Sequence, residues 1–269
     1  MAEQLLTEQD LRQPCQISKH NSLQQQMIRA KHILTLAFLL SFHQFGFSQG
    51  TNLLAMGFQK LEGKEFNEAI NLFSQVLNQE PRDTAALSGI IRASLLSNNL
   101  KGAQKHIESA ISYYPSNPEF YLREGILNNL KGDYAKAIIS FDKGIGYSSQ
   151  SINIQLYINR GVANMQSENY EGAVQDFTDA LEDNPRNSSA LNYRAFANYR
   201  LGMYEEAVAD YNKAIDLNPD DAMAYYNRGM AHLRAGEKTK ACPDFHKACS
   251  MGNKNACRMI MTECAGGKK

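Results

Sequence analysis

Residues 190–219 read ALNYRAFANYRLGMYEEAVADYNKAIDLNP. Small residues stand at Ala195 and Ala207, and the large ring of Tyr211 follows four residues after the second. Residues four apart share one face of a helix. Read as a helical hairpin, the segment sets a small residue of its first helix against a small residue of its second, so the two can pack closely. The aromatic one turn on fills the gap between hairpins, and Pro219 stops the second helix because it has no N–H to continue it. A lone hairpin of this kind leaves an apolar face open and needs neighbours.

Neighbours are present in both directions. Ala69, Ala103, Ala137, Ala173, Ala207 and Ala241 recur at steps of 34, 34, 36, 34 and 34. Four residues after them stand Phe73, Ile107, Phe141, Phe177, Tyr211 and Phe245; twelve before them stand Gly57, Ile91, Gly125, Gly161, Ala195 and Gly229. Pro81, Pro115, Pro185 and Pro219 close four of the units. A fixed period near this length is the mark of a repeat array, in which each unit buries its apolar face on the next. Two units depart from the pattern. The second has Ile91 at the small position, and the join between the third and fourth, GIGYSSQS (144–151), is two residues longer. Its two glycines are read as a flexible joint.

Across residues 51–253 this pattern resembles the tetratricopeptide-repeat (TPR) family. The resemblance implies an all-α fold: a right-handed superhelix of six helix–turn–helix repeats (about 50–83, 84–117, 118–153, 154–187, 188–221 and 222–253) with a short C-terminal capping helix. It also implies a binding protein whose concave groove is lined by the second, fifth, ninth and twelfth positions of each first helix. In this chain those positions include Phe58, Leu122, Ile126, Ile158, Val162, Phe196, Tyr199, Tyr226 and Met230. Such a groove suits an apolar peptide or an amphipathic helix. The competing reading buries several of these side chains between repeats. Members of the family that clamp a chaperone's terminal carboxylate carry lysine and asparagine at the fifth and ninth positions of one repeat, and no repeat here has that pair.

Composition excludes several other roles. Lys plus Arg and Asp plus Glu both number 28, so the formal charge is zero, whereas phosphate binding needs an excess of cations. Nucleic acid is therefore not the expected partner. Three of the six histidines (His20, His32, His43) fall in the leader, and neither a metalloprotease helix motif nor a nucleophile elbow appears. The chain reads as a non-enzyme with no cofactor, no metal and no small-molecule substrate, binding a protein or peptide. The alternative is a structural or self-assembling envelope component.

The leader points to export. Residues 27–48 place Arg29 and Lys31 before an apolar run, Ile33 to Leu40, and end with small residues at Gly46 and Ser48. This is a secretory signal pattern, too short to span a bilayer comfortably. Cleavage is expected between Ser48 and Gln49, and membrane association only if the segment stays uncleaved. Residues 1–26 are polar and do not belong in a signal peptide, so Met27 reads as the true start. The location implied is the periplasm or cell envelope of a Gram-negative-type bacterium.

Two further patterns concern the C-terminal half. Arg160, Arg194 and Arg228 recur in repeats four to six, and Asp176, Asp210 and Asp244 recur with them. Repeats one to three lack both, carrying Met56 with Leu72, Ile90 with His106 and Glu124 with Ser140. Appearing together within one chain, the two stations read as touching: either a pair bracing the hairpin or a row of arginines facing a ligand. Cys242, Cys249, Cys257 and Cys264 crowd the last 28 residues. A second helix from about Lys240 to Ser250, with Pro243 in its first turns, and a capping helix from Asn255 to Cys264 would each show two cysteines on one face, about 10.5 Å apart. Folded antiparallel, they pair Cys249 with Cys257 and Cys242 with Cys264, stapling residues 254–269, whose Ala256, Met259 and Ile260 cover the solenoid end. The segment KACSMGNKNAC also resembles bridged segments of secreted cysteine-rich α/α repeat proteins. Zinc on these cysteines with His246, or unbridged thiols, are the competing readings.

Overall fold

Asparagine or aspartate stands at the start of eight helices, and in seven of them its side chain caps the first turn. Asp83 accepts from the Ala86 amide at 2.7 Å, Asn187 from Ala190 at 3.0 Å, and Asn253 from Ala256 at 3.0 Å, satisfying amides that a helix start leaves without partners. The computed structural model describes residues 52–148 and 152–264, and within them it has thirteen α-helices and no strand. The hairpins are α1 (52–62) with α2 (Phe66–Gln79), α3 (Thr84–Leu96) with α4 (Leu100–Tyr113), and α5 (Pro118–Leu130) with α6 (Tyr134–Tyr147). Then follow α7 (Asn153–Gln166) with α8 (Tyr170–Asp183), α9 (Ser188–Arg200) with α10 (Tyr204–Leu217), and α11 (Ala222–Arg234) with α12 (Lys238–Ser250). A short α13 (Lys254–Met259) continues into a π-helical turn, Ile260–Cys264. The signal segment, Cys15 and residues 265–269 lie outside the described residues. Among those described, no helix is long and apolar enough to cross a membrane.

Every helix packs on its predecessor and its successor, and each first helix from α3 on also touches the next first helix: α3 with α5, α5 with α7, α7 with α9, α9 with α11. Second helices make no comparable contact with one another. The first helices therefore line the inner curve of the stack, and the second helices form its outer wall. Within each hairpin the turn passes through one left-handed residue: Lys64, Asn98, Gly132, Glu168, Gly202 and Gly236. Glycine takes this conformation freely, whereas Lys64 and Glu168 hold it against a cost of about 1–2 kcal/mol.

The repeated alanines from Ala69 to Ala241 are all fully buried. The repeated glycines, however, meet the aromatic of their own hairpin rather than a small residue. A methyl group on Gly57 would fall 2.6 Å from the Phe73 ring, and one on Gly161 or Gly229 2.8 Å from Phe177 or Phe245. The small first-helix residue makes room for the ring, so small and large trade across the contact. Ile91 with Ile107, and Ala195 with Tyr211, occupy the same stations at intermediate size, each pair in one buried cluster.

Two sequence expectations need correction here. Gly144 and Gly146 are not a joint: both lie inside α6, and a methyl group on Gly144 would fall 2.7 Å from Leu156 of α7. Gly144 serves close packing between the third and fourth hairpins. Pro243 lies in the second turn of α12, which begins at Lys238. The capping helix is also shorter than expected, changing to a π-helical turn at Ile260.

Candidate functional site

The inner wall is formed unevenly. Phe58 packs edge-on against Phe73 with ring centres 5.1 Å apart, and Ile126, Ile158 and Val162 are half-buried against neighbouring cores. Leu122 does not face the groove: it is 1% exposed, in a core with Phe141 and Leu156. Its place on the helix turns it toward the following hairpin, where apolar burial is available. The other four residues converge. Phe196 and Tyr199 of α9, and Tyr226 and Met230 of α11, line a cavity of about 180 Å³ together with Tyr211 of α10 and Asn227 of α11. The repeat spacing marks Tyr211 as a packing residue and singles out nothing at Asn227. The available signal was that only the fifth repeat carries a hydroxylated ring at this station.

Tyr211 is fully buried, and its hydroxyl has no hydrogen bond of good geometry. Asn227 is the polar side chain beside it. Burial pushes the Tyr211 phenol well above its ordinary range, so the hydroxyl stays a proton donor. Arginines flank the cavity. The Arg200 guanidinium lies 4.4 Å from the Tyr170 ring centre and 6.0 Å from that of Phe196, and Arg234 stands beside the Tyr199 hydroxyl.

The Arg–Asp stations lie apart from this cavity, between the helices. Arg194 grips Asp210 with two parallel bonds, Nε to Oδ2 at 2.7 Å and Nη2 to Oδ1 at 2.8 Å. Arg228 holds Asp244 in the same way at 2.9 and 2.6 Å. Arg160 places both Nε and Nη2 on Asp176 Oδ1, and Asn164 donates to the other oxygen at 2.8 Å. Each arginine then spends its remaining Nη1 on the preceding repeat's second helix: Asp142 at 2.6 Å, Thr178 at 3.1 Å and Asn212 at 2.7 Å. One guanidinium thus ties three helices together. These third partners share a phase with the repeat, and that phase was the signal available in the sequence. Burial pushes the Asp176 carboxyl up, and its bonds to Arg160 and Asn164 oppose that.

At the C-terminal end, Cys249 is bridged to Cys257 and Cys242 to Cys264, with Cα atoms 4.8 and 5.7 Å apart. Ala256 is fully buried against Phe245 and Ala248, and Met259 and Ile260 pack on the same cluster. Among the described residues no group of three His, Cys, Asp or Glu side chains is placed to hold a metal.

Tetratricopeptide-repeat models match residues 60–124, 154–187 and 199–236. The chain is a tetratricopeptide-repeat protein. Solved structures of similar shape agree. YrrB, a TPR protein with an unusual peptide-binding site, is 19% identical over 71% of this chain and 97% of its own, with a TM-score of 0.61. PilW, a widely conserved type IV pilus biogenesis factor, is 14% identical over 79% and 98%, with a TM-score of 0.71. PilF of Pseudomonas aeruginosa is 13% identical over 81% and 99%, with a TM-score of 0.69. At these identities the likeness concerns the fold alone. No curated protein sequence matches the chain.

Proposed function

We propose that this TPR protein is an exported, non-catalytic scaffold that holds a protein or peptide segment in its concave groove, in the envelope of a Gram-negative-type cell. The observation carrying the binding role is the cavity of about 180 Å³ on the inner wall, where Phe196, Tyr199, Tyr226 and Met230 converge. Half-exposed aromatic side chains around a recess are the groups that dominate interface energies. Peptide binding by the like-folded YrrB, and the pilus biogenesis role of PilW, favour a protein partner.

Export is supported by the signal pattern at residues 27–48 and by the two bridges of the C-terminal cap, since disulfides persist in oxidising compartments. The test is a photo-crosslinker placed at Ser189, on the first helix of the fifth repeat, in intact cells. A crosslinked partner should be recovered, its yield should fall when Tyr199 and Tyr226 are both changed to alanine, and helical content should stay intact. Equal recovery with and without those two rings would move binding off the concave face. A mature chain beginning at Gln49, read by N-terminal sequencing, checks the export step independently.

A further inference from the structure

The four C-terminal cysteines are bridged in a nested order. The inner two, Cys249 and Cys257, pair with each other, and the outer two, Cys242 and Cys264, close around them. Along the chain, however, the cysteine that follows Cys242 is Cys249, and the one that follows Cys257 is Cys264. Cys242 and Cys249 are seven residues apart, against eight for the inner bridge and 22 for the outer one. Loop closure in an unfolded chain barely distinguishes seven residues from eight. Spacing therefore gives Cys249 no reason to take Cys257 over Cys242. Order of appearance favours Cys242, because a chain entering an oxidising compartment N-terminus first presents Cys242 and Cys249 together before Cys257 arrives.

The folded state forbids that bond. Cys242 and Cys249 both lie in α12, a continuous helix over Lys238–Ser250. Seven residues of helical rise set their Cα atoms about 10.5 Å apart, whereas a disulfide needs them within about 7 Å. The two observed bridges, at 4.8 and 5.7 Å, run from α12 to the cap and meet that limit. A Cys242–Cys249 bond therefore excludes α12 as a helix. With the helix goes the Asp244 carboxylate that holds Arg228 at 2.6 Å. So does the fully buried Phe245 ring, against whose cluster Tyr226 and Met230 of the groove are packed. A misplaced bond near the C-terminus thus reaches the binding face through the sixth hairpin.

We infer that this chain is a substrate of thiol–disulfide isomerisation: its maturation passes through a Cys242–Cys249 bond, which a thiol catalyst of the disulfide-isomerase class opens before the last hairpin closes. The inference rests on the reading of the chain as exported. A disulfide-bearing oxidant makes the first bond, taking two electrons and two protons from the Cys242 and Cys249 thiols. The catalyst thiolate then attacks Cys249 Sγ, breaking that bond, forming a mixed disulfide and releasing Cys242 as the thiolate. The Cys257 thiolate attacks the same Cys249 sulfur, which forms the inner bridge and returns the catalyst thiolate. One disulfide is broken and one made in each exchange, so the catalyst is neither oxidised nor reduced overall. Cys242 and Cys264, left as thiols, are joined by a second equivalent of the oxidant.

The test expresses the full chain with its own leader in a Gram-negative host, with and without the host's periplasmic disulfide isomerase. Free thiols are blocked at lysis, the bridges are mapped by peptide mass, and the natively bridged form is counted against total synthesis. Without the isomerase that form should fall roughly fourfold or more, since loop closure alone gives the native pairs about a quarter of possible first bonds. Cys242–Cys249 should be found in its place. Changing Cys242→Ser with Cys264→Ser leaves one consecutive pair, Cys249 and Cys257, whose bridging should be equal in the two strains. Equal native bridging of the unaltered chain in both strains, or an isomerase dependence that survives in the double variant, would overturn isomerisation while leaving export in place. Free thiols at all four positions in both strains would instead overturn the export reading, and the proposal with it.

Discussion

From α1 to α5 the hairpins are locked by aliphatic side chains, with Ile90, Ile91, Leu87 and Ile107 all 2% exposed or less in one continuous core. From α7 to α12 the buried apolar groups fall into smaller separate clusters rich in alanine, and the bracing passes to Arg160, Arg194 and Arg228. The same hairpin geometry is therefore held by two chemistries within one chain. Aliphatic packing is non-directional and tolerates rearrangement. A forked guanidinium fixes the angle between its partners, and here it also fixes the preceding repeat. The half braced by arginines is also the half that carries the cavity, between two neighbouring first helices.

The largest expected effect comes from removing one partner of a buried pair. Arg194→Ala leaves Asp210 unpaired at 5% exposure and should cost about 3–5 kcal/mol, read as lost amide-exchange protection in α9 and α10. Giving repeat five the residues of repeat one at these stations, Arg194→Met with Asp210→Leu, should recover most of that loss or exceed it. If the double change is as damaging as the single one, the arginines are not interchangeable with aliphatic bracing and the comparison fails. Next, Cys249→Ser with Cys257→Ser should cost about 2–4 kcal/mol, confined to α13 and the end of α12, with α1 to α5 unaffected. A smaller effect tests the aliphatic half. Ile107→Phe alone should overpack the second hairpin by about 1–3 kcal/mol, and adding Ile91→Gly should relieve it by recreating the glycine–phenylalanine contact found in repeats one, three, four and six.

The fold was legible because a stack of hairpins forces each station to recur: Ala69 and its equivalents announce the close helix contact at a fixed period. The glycine–ring contact was misassigned because spacing along the chain shows that two positions are small, not which atoms fill the space between them. Gly144 misled for a related reason. Glycine signals a bend in isolation, yet here it admits Leu156 of the next helix. The aromatic half of the groove could be read from residue type and helical position. Leu122 was misplaced, since a helix face that turns toward the next hairpin differs from one facing the groove by only a fraction of a turn. The meeting of Tyr211 with Asn227 at the cavity was beyond sequence reasoning, because which side chains converge between hairpins is a property of three dimensions.

The smallest effect distinguishes the two halves by pH. His106 of α4 stands at the station that carries Asp176, Asp210 and Asp244 in the later repeats, and it faces no arginine there, since its counterpart is Ile90. Burial, helped by the nearby Lys105 charge, lowers its pKa from the ordinary 6.5. A histidine whose folded pKa is depressed binds a proton more tightly when unfolded, so stability rises with pH and is lost as pH falls. The loss begins as pH drops through 6.5, where the unfolded chain starts to take up protons, and levels off below the folded pKa, where both states hold the proton. Protection factors in α3 and α4, which divide out the slower intrinsic exchange of free amides at lower pH, should therefore fall between pH 7.5 and pH 5, and His106→Leu should remove that fall. Because the group is only partly buried, water moderates the effect. An unchanged pH slope in the variant would show that another titrating group governs the first half, and that its aliphatic station is indifferent to the imidazole it holds.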